Sequence, residues 1–80
     1  MSDAVTPIDY AIADPLDAGR AAFTRHVWQE AFDLLTQAGA AAGLEGPDLE
    51  SLATAAFFAG RADLRTPTLE RAFAAYQTKG

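Results

Sequence analysis

The sequence predicts an all-α fold: two antiparallel helical hairpins, four helices in all, behind an N-terminal arm. Three observations predict it. Nineteen of the 80 residues are alanine, the best helix former and the least bulky apolar side chain. Apolar residues recur at helical spacing in four separate runs. The six glycines and four prolines fall between those runs and not in a low-complexity tract, which argues against disorder for the bulk of the chain. A small β-sandwich built on Val, Ile and Thr does not fit an alanine-rich core. The length suits one domain, which buries roughly 60% of the surface of its unfolded chain.

Residues 1–13, MSDAVTPIDYAIA, read as an arm with at most one turn, capped by Thr6 and Pro7. Asp14-Pro15-Leu16-Asp17 starts helix one. Asp14 can accept from free first-turn amides, Pro15 needs no amide there, and Asp17 favours the positive end of the dipole. Leu16, Gly19 and Phe23 form its stripe, and the helix runs to about Thr24. Arg25-His26-Val27 is the turn. Helix two spans Trp28 to Ala41 or Ala42, with Trp28, Ala31, Phe32, Leu35, Ala38 and Ala42 inward and Glu30, Asp33 and Gln37 outward.

Gly43-Leu44-Glu45-Gly46 breaks the pattern, and Pro47-Asp48 opens helix three. Leu49, Leu52, Ala53, Ala56 and Phe57 form its stripe, and Gly60 stops it. Arg61 to Arg65 connect. Thr66-Pro67 caps helix four, delaying its start by half a turn so that Arg65 points outward. Its stripe is Leu69, Ala72, Phe73 and Tyr76.

The charge balance, six basic against eleven acidic residues and net −5, works against nucleic acid and against an anionic membrane surface. No apolar stretch approaches the ~20 residues that span a bilayer. The N-terminus lacks the basic and apolar regions of a signal peptide. Without cysteine there is no disulfide framework or thiolate metal site. The expected location is the cytoplasm, and no cofactor is called for.

A shift of 34 residues lays Asp14 on Asp48, Ala21-Ala22-Phe23 on Ala55-Ala56-Phe57, Leu35 on Leu69, Ala38 on Ala72 and Ala40-Ala41 on Ala74-Ala75. These are eight identities among the thirty pairs from 14 to 43. The helix starts and turns superpose under the same shift. A 34-residue helix–turn–helix unit is the tetratricopeptide period, and the residues resemble that family. Gly19 stands where the first helix packs closely, Trp28 is the aromatic after the turn, Ala31 and Ala38 are the small residues, and Leu35 is the large plug. In the second unit Ala53, Leu69 and Ala72 fit, whereas Ala62 replaces the aromatic and Arg65 a small residue. The two units are 14–45 and 46–80. Neither ends in the family's usual proline.

The stretches GRAAFTRHVWQEAFDLLTQA and ESLATAAFFAGRADLRTPTLERAFAAYQTKG are similar to helical-repeat regions of large LuxR-type transcriptional regulators and cyclase-coupled signalling proteins. That resemblance implies a sensory or scaffolding segment and a protein or peptide partner. The tetratricopeptide resemblance implies that the first helix of each pair lines a concave surface, which makes Arg20, Thr24, Thr54 and Phe58 candidate contacts. The alternative for Phe58 is packing on the N-terminal arm or on a next repeat. The chain stops after helix four without a polar capping helix, so it is expected to be part of a longer protein or a short one that pairs, for example as a homodimer.

No constellation points to an enzyme. His26, the sole histidine, has no sequence neighbour suited to a catalytic or metal role and reads as a turn residue. Glu30 and Asp33 share a solvated face. Asp14, Asp17, Asp48 and Glu50 lie at helix starts, where capping and the dipole explain them. Ser2 and Ser51 lack a nucleophile elbow, and 43–46 lacks the lysine of a phosphate loop. Trp28, Phe32 and Phe73 are expected in the core. Phe57 and Phe58, being adjacent, cannot both face inward.

Overall fold

The computed structural model describes residues 14–79, and the arm at 1–13 with its Thr6-Pro7 cap lies outside them. The fold is all-α, two helical hairpins with no strand among the described residues. Helices α1 (Pro15–Thr24) and α2 (Trp28–Ala42) form the first hairpin. In the second, α3 (Gly46–Phe58) is joined to α4 (Arg65–Lys79) through a 3₁₀ turn at Ala62–Leu64. Each helix packs on the next, and α1 also touches α3. Among the described residues no Cα of α4 lies within 8 Å of a Cα of α1 or α2, so the backbones form an open array and not a closed bundle.

Asp14 caps α1, its Oδ1 accepting from the Leu16 amide at 3.2 Å. Gly19 then faces Leu35 on α2: a Cβ there would stand 2.9 Å from Leu35 Cδ2 and 3.2 Å from its backbone nitrogen. Only a missing side chain allows that approach. The small residues at the crossings are buried as the sequence requires: Ala31, Ala38, Ala53 and Ala72 are all under 7% exposed. Glu30, Asp33 and Gln37 are exposed, so the polar face of α2 is where its periodicity puts it.

The core has two parts. Leu35, Leu49, Leu52 and Ala72 form one, flanked by Leu16, Phe32, Leu44 and Ala75. Ala22, Ala31 and Ala55 form the other, flanked by Phe23, Trp28 and Phe32. Phe32 joins them.

The 34-residue shift reappears in the backbone. At the end of α1, the Val27 amide donates to the Ala22 carbonyl and the His26 amide to that of Phe23, both at 2.9 Å. At the end of α3, Arg61 donates to Ala56 at 2.7 Å and Gly60 to Phe57 at 3.3 Å. Each pair closes a Schellman motif. Its left-handed residue is His26 (φ 62°) in one case and Gly60 (φ 91°) in the other, and 26 and 60 are 34 apart.

The helix starts do not repeat in this way. Helix α3 begins at Gly46 behind the N-cap residue Glu45, earlier than Pro47-Asp48, and its first turn meets Tyr76, whose ring would lie 2.6 Å from a Cβ at Gly46. Nor do Thr66-Pro67 cap α4. The helical path starts at Ala62, the counterpart of Trp28 under the shift, as a 3₁₀ turn, and turns α-helical at Arg65. Pro67 explains the tightening: a regular α-helix from Ala62 would drive the proline ring into the Asp63 carbonyl, four residues back. Arg65 is exposed, as expected.

The face that α4 turns inward is also shifted. Thr68 and Ala72 are buried, whereas Phe73, expected in the core, is 65% exposed. Phe57 likewise lies outside the core at 47% exposure. The reason is the position of α3 between three helices, which buries Ala55 and Ala56 together and rotates Phe57 to the rim. Ala42 at the end of α2 is exposed, and Trp28 is half-buried.

Candidate interaction surface

Aromatic side chains line one end of the molecule, where α1 and α3 stop. Phe23 meets Trp28 edge-on, with centroids 5.4 Å apart. His26 stacks on Trp28 at 5.0 Å, its planes 15° apart. Trp28 in turn stacks on Phe58 at 4.8 Å, and Phe58 meets Phe57 edge-on at 5.2 Å. The Arg65 guanidinium lies 5.6 Å from the centre of the Phe57 ring. Offset stacks and edge contacts of this kind are each worth ~0.5–1.5 kcal/mol beyond area burial.

Local backbone geometry builds this ridge. The left-handed turn at His26 lays its imidazole back on Trp28, the first residue of α2. The matching turn at Gly60 brings the chain round so that Arg65 reaches Phe57. The ridge is well exposed for its size: Val27 39%, Phe57 47% and Phe58 56%. A rigid row of exposed aromatics is the kind of surface that protein partners bury.

Four residues are candidates from the sequence. Arg20 and Thr24 stand one turn apart on α1, Thr54 and Phe58 one turn apart on α3, and these helices touch. Phe58 belongs to the ridge. Thr54 is half-buried. Thr24 is exposed, and its Oγ1 donates to the Arg20 carbonyl at 3.0 Å. Arg20 is engaged elsewhere: its Nε donates to Asp48 Oδ1 at 2.9 Å and its Nη2 to Oδ2 at 2.8 Å. The hydrogen bond to Asp48, and then its charge, raise the Arg20 pKa above its ordinary value. Helix-start electrostatics alone therefore do not account for Asp48, which is buried and ties the hairpins together.

The remaining charges are local. Arg61 donates from Nε and Nη2 to Asp63, both at 3.2 Å. That bond raises Arg61 and lowers Asp63 from their ordinary values. Arg25 and Glu30 lie 3.7 Å apart across the first turn, a separation and exposure at which a pair contributes little. Among the described residues no three His, Asp or Glu side chains come together as a metal site would require. No helix among them is long and apolar enough to cross a membrane.

Trp28, His26, Phe57 and Arg65 are the members of the ridge that periodicity alone misses. The readable signal was the adjacent pair Phe57-Phe58, since two neighbours cannot share one inward face. Compared with protein-family models, curated proteins and solved structures, the chain matches none.

Proposed function

We propose that this chain is a non-catalytic protein–protein interaction module of the tetratricopeptide kind, and that it engages its partner through the aromatic ridge. The carrying observation is Phe58: it is more than half exposed, yet held in place by stacking on Trp28. A side chain already fixed loses little further entropy when a partner covers it, and aromatics of this kind dominate binding energies. The open order of helices and the paired turns at His26 and Gly60 support a stack of like units. Its setting as a sensory or scaffolding segment of a larger transcriptional regulator rests on the sequence resemblance. A location in the cytoplasm accords with that setting.

The test uses the immobilised chain and its Phe58→Ser variant. A protein retained by the first and lost by the second, with helical content equal in both, supports the reading. Equal retention by both overturns the ridge as the contact.

Self-association is a second reading, favoured by Phe73 on α4, which is 65% exposed. Its sign is a sedimenting mass that rises with concentration and falls back in Phe73→Ser. A single monomer mass at every concentration removes this reading.

A further inference from the structure

We infer that the cleft between α2 and α4 is a binding site for a small amphipathic carboxylate, with an apolar body seated between the helices and its head on Arg71. No Cα of one helix comes within 8 Å of a Cα of the other, and Leu52 of α3 lines the cleft between them. The resulting cavity measures about 330 Å³, at the lower end of the ~300–1,000 Å³ of small-molecule sites. Phe32, Leu35 and Leu52 give it an apolar lining.

Two polar groups give the cleft a direction. Thr68 lines it and is 6% exposed. Its hydroxyl makes no hydrogen bond to any described residue, and it is not sealed from the cavity. Being reachable by solvent, that hydroxyl can exchange water for a polar group of a ligand. One turn further along α4, Arg71 stands at the rim, with no carboxylate within ion-pair distance among the described residues. The other four described arginines each hold a carboxylate or an aromatic ring. A guanidinium and a hydroxyl on one wall of an apolar cleft match a carboxylate carried on a short hydrocarbon, because the guanidinium bonds an anionic oxygen pair far better than a neutral head. The chain's net −5 opposes anions in general, so the apolar body must supply part of the affinity.

Octanoate, octanol and octylamine are the probes, titrated into the full chain and followed by backbone amide shifts. Octanoate is expected to shift Thr36, Ala40, Leu64, Thr68 and Arg71, and to bind more tightly than the other two. Arg71→Gln is expected to weaken octanoate about tenfold, or ~1.4 kcal/mol, while leaving octanol unchanged. Ala40→Trp, an exposed rim substitution, is expected to block all three. Phe58→Ser, at a residue that does not line the cleft, should leave binding as it was. Several results overturn the assignment: no shifts with octanoate, shifts confined to the aromatic ridge, octanol binding as tightly as octanoate, or no effect of Arg71→Gln. Tighter binding of a trileucine peptide with a free C-terminus than of octanoate would identify a protein chain end as the ligand, and also overturns the small-molecule assignment.

Discussion

Arg20 on α1 and Asp48 on α3 hold the two hairpins together by a two-pronged ion pair, at 2.9 and 2.8 Å. The pair spans 28 residues of sequence and joins the first helices of the two hairpins, whose Ala22 and Ala55 also share a core cluster. Its arginine is half exposed, while the carboxylate is 11% exposed. Losing the arginine therefore strands a buried charge.

Arg20→Gln should lower the melting temperature, and Asp48→Asn should do so as well. The double variant should lose less than the sum of the two, since residues that act as a pair are not additive. A strictly additive cycle in thermal melts would show that the ion pair does not couple the hairpins.

Two glycines on facing helices should respond in opposite ways to alanine. At Gly19 a methyl group meets Leu35 backbone at 3.2 Å, and overpacking of ~1–3 kcal/mol outweighs a helix-propensity gain of ~1 kcal/mol. At Gly39 the nearest atom is Leu44 Cγ at 3.4 Å, so most of that ~1 kcal/mol is gained. Chemical denaturation should thus place Gly19→Ala below the wild type and Gly39→Ala above it.

The paired turns make a third test. Gly60→Ala forces a side chain into a φ of 91° and should cost ~1–2 kcal/mol. His26→Gly removes similar strain at φ 62° but loses the Trp28 stack, worth ~0.5 kcal/mol at an exposed site. A net gain of ~0.5–1.5 kcal/mol is expected. Urea midpoints for the two variants should move in opposite directions.

Alkaline pH tests the contact of α3 with α4. Burial first, and the Glu50 carboxylate next, raise the Tyr76 phenol above its ordinary value of 10.0. The folded state thus holds this proton more tightly than the unfolded state, and the benefit is complete below pH ~10 and lost as pH rises beyond it. Thermal melts should show a fall in stability above pH ~10 that Tyr76→Phe reduces. An unchanged slope in that variant would assign the fall to other groups.

Where local chemistry sets the structure, the sequence is readable. Asp14-Pro15 marks a helix start because its carboxylate caps and its ring needs no amide. The small residues at 31, 38, 53 and 72 mark helix crossings because nothing larger fits. Phe73 leaves the expected core face for a reason of phase: Pro67 tightens the entry to α4, and a small rotation there carries Phe73 out and Thr68 in. The stripe of α3 misleads because a helix covered by three neighbours is apolar on most sides. As for the surface, Phe58 could be picked out from its adjacent twin. The Arg20–Asp48 pair and the Arg65 contact join distant segments, and no local periodicity records them.

The absence of contact between α1 and α4 has a kinetic consequence. Nearly every tertiary contact joins helices adjacent along the chain, so no long loop must close before packing begins. Such a topology folds quickly, on the microsecond-to-millisecond scale of local-contact proteins. It can also open from either end, since α1 or α4 can fray while the rest stays packed. Helix α3, gripped on three sides, is then the last element to exchange its amide hydrogens. The aromatic ridge hangs on the end of that most durable helix, so its shape outlasts the fraying of the outer helices.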